Sequence, residues 1–453
     1  MKGLTISNLI KATDGEYYGK EELLEKEVTS VVTDSRKIIN GSLFIPIAGA
    51  RVDGHDFITS VMENGALCTL SEKKLEDENI PYIYVDSTLK ALRDIAEFYL
   101  QQLDVKVVGV TGSVGKTSTK EIIASVLSTK YKTLRTDGNF NNEIGLPLTV
   151  FRLTGEEEAA VLEMGISDFG EMSRLTKIAK PDVAVITNIG LCHLENLKSR
   201  DGILKAKTEI FEGLKNDGII CLNGDDDKLS TVTSYKNNKI IFFGKNNNNE
   251  IKAADICNLG LKGTACKIIT PSGEISVKIP VPGIHMVYNA LAACSVGLAL
   301  NVSLDDIKKG IENLKPVSGR VNIIDTGHYT VIDDCYNANP VSMKSSIDIL
   351  KDAIGRKVCI LGDMFELGDN EKELHQGVGE HIAASDIDLL ITIGNLSRYI
   401  NEGAGNSATK CVHFDNKKDA FEQLDSLLEE GDSILVKASH GMEFPEVVEF
   451  LQK

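Results

Sequence analysis

Apolar positions along the chain fall into short dense runs, separated by stretches where they recur every three or four residues. Runs bounded by turn residues read as strands, and the wider spacing reads as helix faces. Short β-type runs at 28–32, 43–47 and 83–85 mix with helical stretches, and 89–102 is expected to form an amphipathic helix closing this first unit. The run 105–110 then reads as a buried strand, followed by a glycine-rich turn and a helix from Lys116. Strands are expected at 159–163, 183–187 and 218–222, with helical patterns between them, which is the signature of a parallel α/β sheet. The asparagine-rich stretch 245–250 reads as a surface loop, 268–279 as a hairpin turning at Pro271-Ser272-Gly273, and 286–300 as a helix rich in Ala and Leu. A second α/β alternation begins near Tyr329, with strands at 329–333, 357–361, 389–393 and 433–436. No short internal repeat is visible. At 453 residues the chain exceeds what one core usually supports. The pattern places boundaries near residues 103 and 318, giving units 1–103, 104–317 and 318–453.

Composition narrows the class. The chain is 42% hydrophobic and 25% charged, as soluble globular proteins are. Lys+Arg 49 against Asp+Glu 66 gives a net charge of −17, which argues against a nucleic-acid groove. An acidic protein that binds anions must gather its cations locally. The nine cysteines contain no C-x-x-C spacing and sit mostly in apolar runs such as Val358-Cys359-Ile360 and Ala293-Cys294-Ser295, so buried free thiols are expected. The segment from Met1 to Ile10 lacks the basic-then-apolar pattern of a signal peptide, and the longest apolar run, around 290–302, is too short to span a bilayer. A cytoplasmic protein without membrane insertion is the expectation.

The strongest local signal is Gly112-Ser113-Val114-Gly115-Lys116-Thr117-Ser118, between an expected strand and an expected helix. Backbone N–H groups of such a turn converge on one concave spot, and the helix start adds positive potential. Lys116 would reach the β- and γ-phosphates of a nucleotide, and the Thr117 hydroxyl would ligate Mg²⁺. Val110 stands where the usual leading glycine would be. A plain strand-to-helix turn needs glycine but has no use for Lys-Thr at its end. Glu163 ends one expected strand and His193 follows another, at the sheet edge where open α/β sheets bind ligands, and each could hold a divalent cation. Alone, either residue is more often structural or solvated.

Together these segments resemble the Mur ligases. The phosphate loop, Glu163-Met164-Gly165, Thr187-Asn188-Ile189-Gly190 with His193-Leu194-Glu195, and Ala206-Lys207-Thr208-Glu209-Ile210-Phe211 occur in that family's order, and the similarity covers essentially the whole chain. It is most specific for the branch that joins D-alanyl-D-alanine to a UDP-linked muramoyl tripeptide. Asp334-Cys335-Tyr336-Asn337-Ala338-Asn339-Pro340 and Leu361-Gly362-Asp363-Met364-Phe365-Glu366-Leu367-Gly368 carry that assignment. The sister branch that adds the third peptide residue has His-Thr-Pro where this chain has Asn337 to Pro340, and an Asp-Asn-Pro-Arg tetrapeptide that is absent here. A folylpolyglutamate synthase is disfavoured by the same segment and by the Arg36 loop. A P-loop NTPase switch would hydrolyse nucleotide without an amine acceptor, and the usual GTPase specificity tetrapeptide is not found.

The resemblance implies a small UDP-binding α/β domain, a central P-loop ATPase-like parallel-sheet domain and a C-terminal Rossmann-like domain closing over ATP. It implies that residues 112–118 (Gly112, Ser113, Val114, Gly115, Lys116, Thr117 and Ser118) cradle ATP, with Lys116 catalytic. Thr117 and Glu163 would hold one Mg²⁺. His193 and Lys207 would serve a second, Lys207 as a carbamate whose oxygens replace a repelling ammonium. Asn289 resembles the adenine-contacting asparagine, Arg320 the arginine that reaches nucleotide phosphate, and Asp334 the residue that folds over ATP. Asn142 lies in the loop beside the ATP and muramoyl-peptide site. Ser35 and Arg36, within Thr33-Asp34-Ser35-Arg36, resemble the uridine-diphosphate loop, whereas His55 is expected to be structural. The implied reaction is carboxylate attack on the γ-phosphate to give an acyl phosphate, then attack by the dipeptide amine, in a monomer with small-molecule partners and no nucleic acid. Two departures stand out: Ala438-Ser439-His440 replaces the usual Gly-Ser-Arg, and Ile284 and Met286 replace more polar neighbours of His285. Histidine does not reproduce a bidentate guanidinium.

Overall fold

The computed structural model describes residues 1–49, 52–405 and 407–453. They form three separate sheets of five, nine and six strands in chain order, with helices around them. The nine-stranded central sheet positions the site. Its strand Lys106–Thr111 lies between Ala159–Glu163 and Val183–Ile186, all parallel. Covered on both faces, these strands are near-continuous apolar runs. From Thr111 the chain runs to one flank of the sheet, at Thr133–Arg135; from Glu163 it crosses to the other, at Val183–Ile186. A crevice therefore opens at the carboxyl ends of these strands, where ligands of open α/β sheets bind.

Beyond Ile219–Asn223 the sheet departs from the all-parallel expectation. Lys239–Gly244 and Ile251–Asn258 continue it in parallel, but Thr264–Thr270 and Gly273–Ile279 add an antiparallel hairpin turning where the sequence predicts. Thr264, Cys266, Ile268 and Thr270 are buried while the residues between them are half-exposed, the alternation of strands covered on one face. The asparagine-rich loop is mostly exposed, but Asn249 turns inward and donates to Asp225 Oδ1 at 2.8 Å.

In the first sheet, Glu16–Tyr18 is antiparallel to Tyr82–Tyr84 and the other pairs are parallel. The runs at 28–32 and 43–47 supply only Val31–Val32 and Leu43–Phe44, and Pro46, which has no N–H for a ladder, stops the second. Helix Thr88–Gln101, capped by the Ser87 side chain, leads into the central sheet. The last sheet is parallel apart from its edge strand Asn322–Asp325, which pairs antiparallel with Thr330–Asp333.

Alternate residues of the central strands feed two apolar cores. Val108, Val110, Val183 and Val185 join helices Lys116–Leu127 and His285–Ala299 and, beyond them, Met343, Ile347 and Leu361 of the last unit. Val107, Ala184 and Ile186 join Leu146 and Leu175 and, beyond them, Leu4, Ile95 and Tyr99 of the first. No helix among the described residues is long and apolar enough to cross a membrane. Cys294 and Cys359 are buried free thiols, as their apolar settings predict.

Candidate active site

Loops leaving Lys106–Thr111, Ala159–Glu163 and Val183–Ile186 meet at one cavity of about 980 Å³. Leu89 from the first unit and Arg320, Asp334, Tyr336 and Lys437 from the last complete its lining.

The turn after Thr111 is held open by its neighbour. Gly112 has φ +151°, and a Cβ there would lie 1.9 Å from the Thr187 hydroxyl. Val114 donates its N–H to Asn188 Oδ1 at 3.0 Å, and its carbonyl accepts from Thr187 Oγ1 at 2.7 Å and Asn188 Nδ2 at 2.9 Å. Ser113 Oγ accepts from the Gly190 N–H at 2.9 Å. The Thr187-Asn188-Ile189-Gly190 segment is thus a brace for the turn. Gly115, at φ +82°, opens helix Lys116–Leu127 without a side-chain cap, which leaves the first-turn N–H groups for an anion. Lys116 folds back to donate to the Gly112 carbonyl at 3.0 Å.

Beside this turn lies a carboxylate with one oxygen to spare. Glu163 is 2% exposed. Its Oε1 accepts from Thr117 Oγ1 at 3.3 Å and from Asn141 Nδ2 at 2.9 Å, whereas Oε2 is buried with no hydrogen-bond partner among the described residues. The Lys120 ammonium stands 3.8 Å from Oε2 but donates to the Thr136 carbonyl at 2.6 Å. A bare buried carboxylate oxygen is expensive. A hard cation bound between Thr117 and Glu163 would satisfy it, so the residues fit such an ion.

His193 lines the cavity in a left-handed conformation, φ +49°, with Nδ1 3.5 Å from Glu366 Oε2. Burial holds its pKa below the usual imidazole value; Glu366 opposes this, while Lys116 and Lys207 add to it. Lys207, 1% exposed on helix Arg200–Thr208, is not among the residues that line the cavity. Burial first, and the Lys116 charge second, lower its pKa to about 7. No acidic side chain pairs with it among the described residues. Nor do three His, Cys, Asp or Glu side chains gather there into a ready cation site, since Thr117 and Lys207 belong to other donor types.

Other expected residues also reach the cavity. Asn289 accepts from Thr119 Oγ1 at 3.0 Å. Arg320 donates from Nη2 to Thr117 Oγ1 at 3.2 Å and lies over the Tyr336 ring, 4.0 Å from its centroid. Asn142 lines the cavity while its Oδ1 accepts from Ile144 and Gly145 N–H groups. Asp334 is less free than expected: its carboxylate takes bonds from Lys437 Nζ, Ser346 Oγ and the Val321 N–H. Ser35 and Arg36 do not line the cavity. The Arg36 side chain is 87% exposed and paired with Asp34 on a separate turn. His55 is held by Asp53 and accepts the Glu72 N–H, a structural use. His440 lines the rim, its ring 5.3 Å from that of Tyr336. Asn141, Glu366, Tyr336 and Lys437 also line the cavity; Tyr336 and Glu366 lie in segments that carry the resemblance, but sequence alone assigns none of the four a site role.

Three family models match in sequence: Mur ligase family, catalytic domain, at 27–100; Mur ligase middle domain, at 110–297; and Mur ligase, glutamate ligase domain, at 319–440. The chain belongs to the Mur ligase family. Among Mur ligases it is 39% identical to the UDP-N-acetylmuramoyl-tripeptide–D-alanyl-D-alanine ligase of Bacillus subtilis, covering 99% of this chain and 98% of that one. The Escherichia coli ligase of the same name is 36% identical, over 100% and 99%. The crystal structure of MurF from Acinetobacter baumannii superposes with a TM-score of 0.92 at 34% identity, over 99% of both chains. MurF ligase from Thermotoga maritima, solved in complex with ADP, has a TM-score of 0.83 at 31% identity, over 93% and 97%.

Proposed function

We propose that this chain is an ATP-dependent Mur ligase that joins D-alanyl-D-alanine to UDP-N-acetylmuramoyl-tripeptide, through an acyl phosphate. The observation that carries the chemistry is the contact between Thr117, at the phosphate turn, and Glu163, whose second oxygen is bare. The choice of substrates rests on full-length relatives that bear that name.

In this reading the N–H groups of 113–117 bind the phosphates and Lys116 counters charge gathering on the γ-phosphoryl. Thr117 and Glu163 would hold one Mg²⁺, and His193 with Lys207 would serve a second. When bound, Mg²⁺ supplies charge neutralisation and a template for the two anions. Lys207, through the neutral amine that its burial favours, would add CO₂ to give a carbamate and release one proton to solvent. Asn289 faces the adenine, Arg320 reaches phosphate from the last unit, and Asp334 fixes the segment that folds over the nucleotide. Ser35, Arg36 and Asn142 position the UDP-peptide. Closure about hinges near 103 and 318 then brings carboxylate, phosphate and amine together. One chain supplies every part, as a cytoplasmic monomer.

Phosphate release decides the matter, measured with ATP, Mg²⁺, the UDP-tripeptide and D-alanyl-D-alanine, omitting each in turn. Release should require all four. Lys116→Ala should lower kcat by about a hundredfold or more while still binding the UDP-peptide. Release without the amine, or full turnover by Lys116→Ala, contradicts the proposal.

A further inference from the structure

The loop 363–367 is anchored at several points. Asp363 accepts the N–H groups of Asn395, Leu396 and Ser397 at 3.1, 3.0 and 2.7 Å. Met364 is fully buried and donates its N–H to His375 Nε2 at 2.9 Å. The opposite ring nitrogen of His375 donates to the Glu371 carbonyl at 2.6 Å. Phe365 donates its N–H to Ser439 Oγ at 2.9 Å.

From this base Glu366 projects into the cavity in a left-handed conformation, φ +61°. It faces His193, also left-handed, at 3.5 Å. Such conformations are uncommon for residues other than glycine, and here they occur on both sides of one contact. Nothing in the packing explains Glu366 pointing this way, since its side chain is 74% exposed. A histidine that binds a cation through one nitrogen usually donates the other N–H to a carboxylate, which fixes tautomer and ring orientation.

We infer that Glu366 is a positioning residue for the cation site: its carboxylate takes the Nδ1–H of His193 and leaves Nε2 for the ion. This rests on His193 being a ligand, as proposed above. Because Glu366 and His193 belong to different sheets' units, the ligand is oriented only when the last unit is docked. Closure and cation binding are then coupled by one contact.

The test uses the full chain with Mn²⁺ as probe and a non-hydrolysable ATP analogue. Mn²⁺ binding is read by electron paramagnetic resonance, and the His193 tautomer by ¹⁵N NMR of histidine-labelled protein. Glu366→Ala should weaken the weaker Mn²⁺ site about tenfold and mix the His193 tautomers. Glu366→Gln keeps an acceptor and should retain the single tautomer. Asp369→Asn, exposed in the turn Gly368–Asn370 that follows the loop, should match the parent in both readouts. A single tautomer in Glu366→Ala overturns the inference, whatever its Mn²⁺ affinity, as does an equal effect from Asp369→Asn. Absence of a second Mn²⁺ site in the parent protein overturns it along with the ligand reading. Failure to ligate D-alanyl-D-alanine while Mn²⁺ binds normally would instead count against the substrate assignment alone.

Discussion

At Lys207 an ordinarily cationic side chain is kept almost wholly out of water, with the Lys116 charge acting on it. Its pKa falls from 10.5 to about 7, so the unfolded chain binds more protons than the folded one between those values. Stability contributed at this position therefore rises with pH across the window, and the full penalty of the buried charge applies below it. Lys207→Met should accordingly stabilise the fold most near pH 6, and its advantage should shrink towards pH 10, as read by urea denaturation in CO₂-free buffer. With ¹³C-bicarbonate present, a carbamate signal in the parent protein should grow from pH 6 to 8. A pH-independent advantage of Lys207→Met would show that the amine is not buried as described. Residues at this scale were legible in proportion to how local their signal is. The phosphate turn announces itself because its glycines, lysine and threonine are contiguous. Asn141 and Glu366 do not, since each gains its meaning from a carboxylate or imidazole elsewhere in the chain. The burial of Asp334 against Lys437 was equally invisible, because the two strand ends meet only when the last sheet forms.

Among the elements, the buried parallel strands were readable because covering on both faces makes them continuous apolar runs. Of the strands missed, Thr133–Arg135, Asn322–Asp325 and Lys410–Phe414 lie at sheet edges and carry half-exposed residues, so their pattern merges with that of loops, whereas Cys68–Ser71, Lys239–Gly244 and Ile251–Asn258 lie inside their sheets. Helix Leu304–Glu312 shows what a single glycine permits. A Cβ on Gly310 would stand 2.4 Å from the Val126 Cα, so this helix lies directly on the backbone of Lys116–Leu127. Gly310→Val forces the two apart and should cost about 1–3 kcal/mol in urea denaturation. Because the displaced helix opens with the phosphate turn, ATP affinity should fall as well. Unchanged stability would mean the helices have room to separate.

Over the whole molecule, residues from all three units line one cavity, and Arg320 spans it from the last unit to Thr117 in the central one. Arg320→Ala should leave the unliganded chain's radius of gyration unchanged but reduce its contraction on adding an ATP analogue, measured by small-angle X-ray scattering. Contraction equal to the parent's would remove this arginine from the closing step. The three-unit layout was legible as two successive α/β alternations after a mixed first segment. The relation between units was not, because it depends on which helix faces meet.

Each face of the central sheet merges its apolar interior with a different neighbour, one towards the first unit and the other towards the last. The two attachments share almost no side chains, so inheritance can act on them separately. Either terminal unit could be exchanged in an unrelated recombination event while the phosphate turn and its brace stay intact.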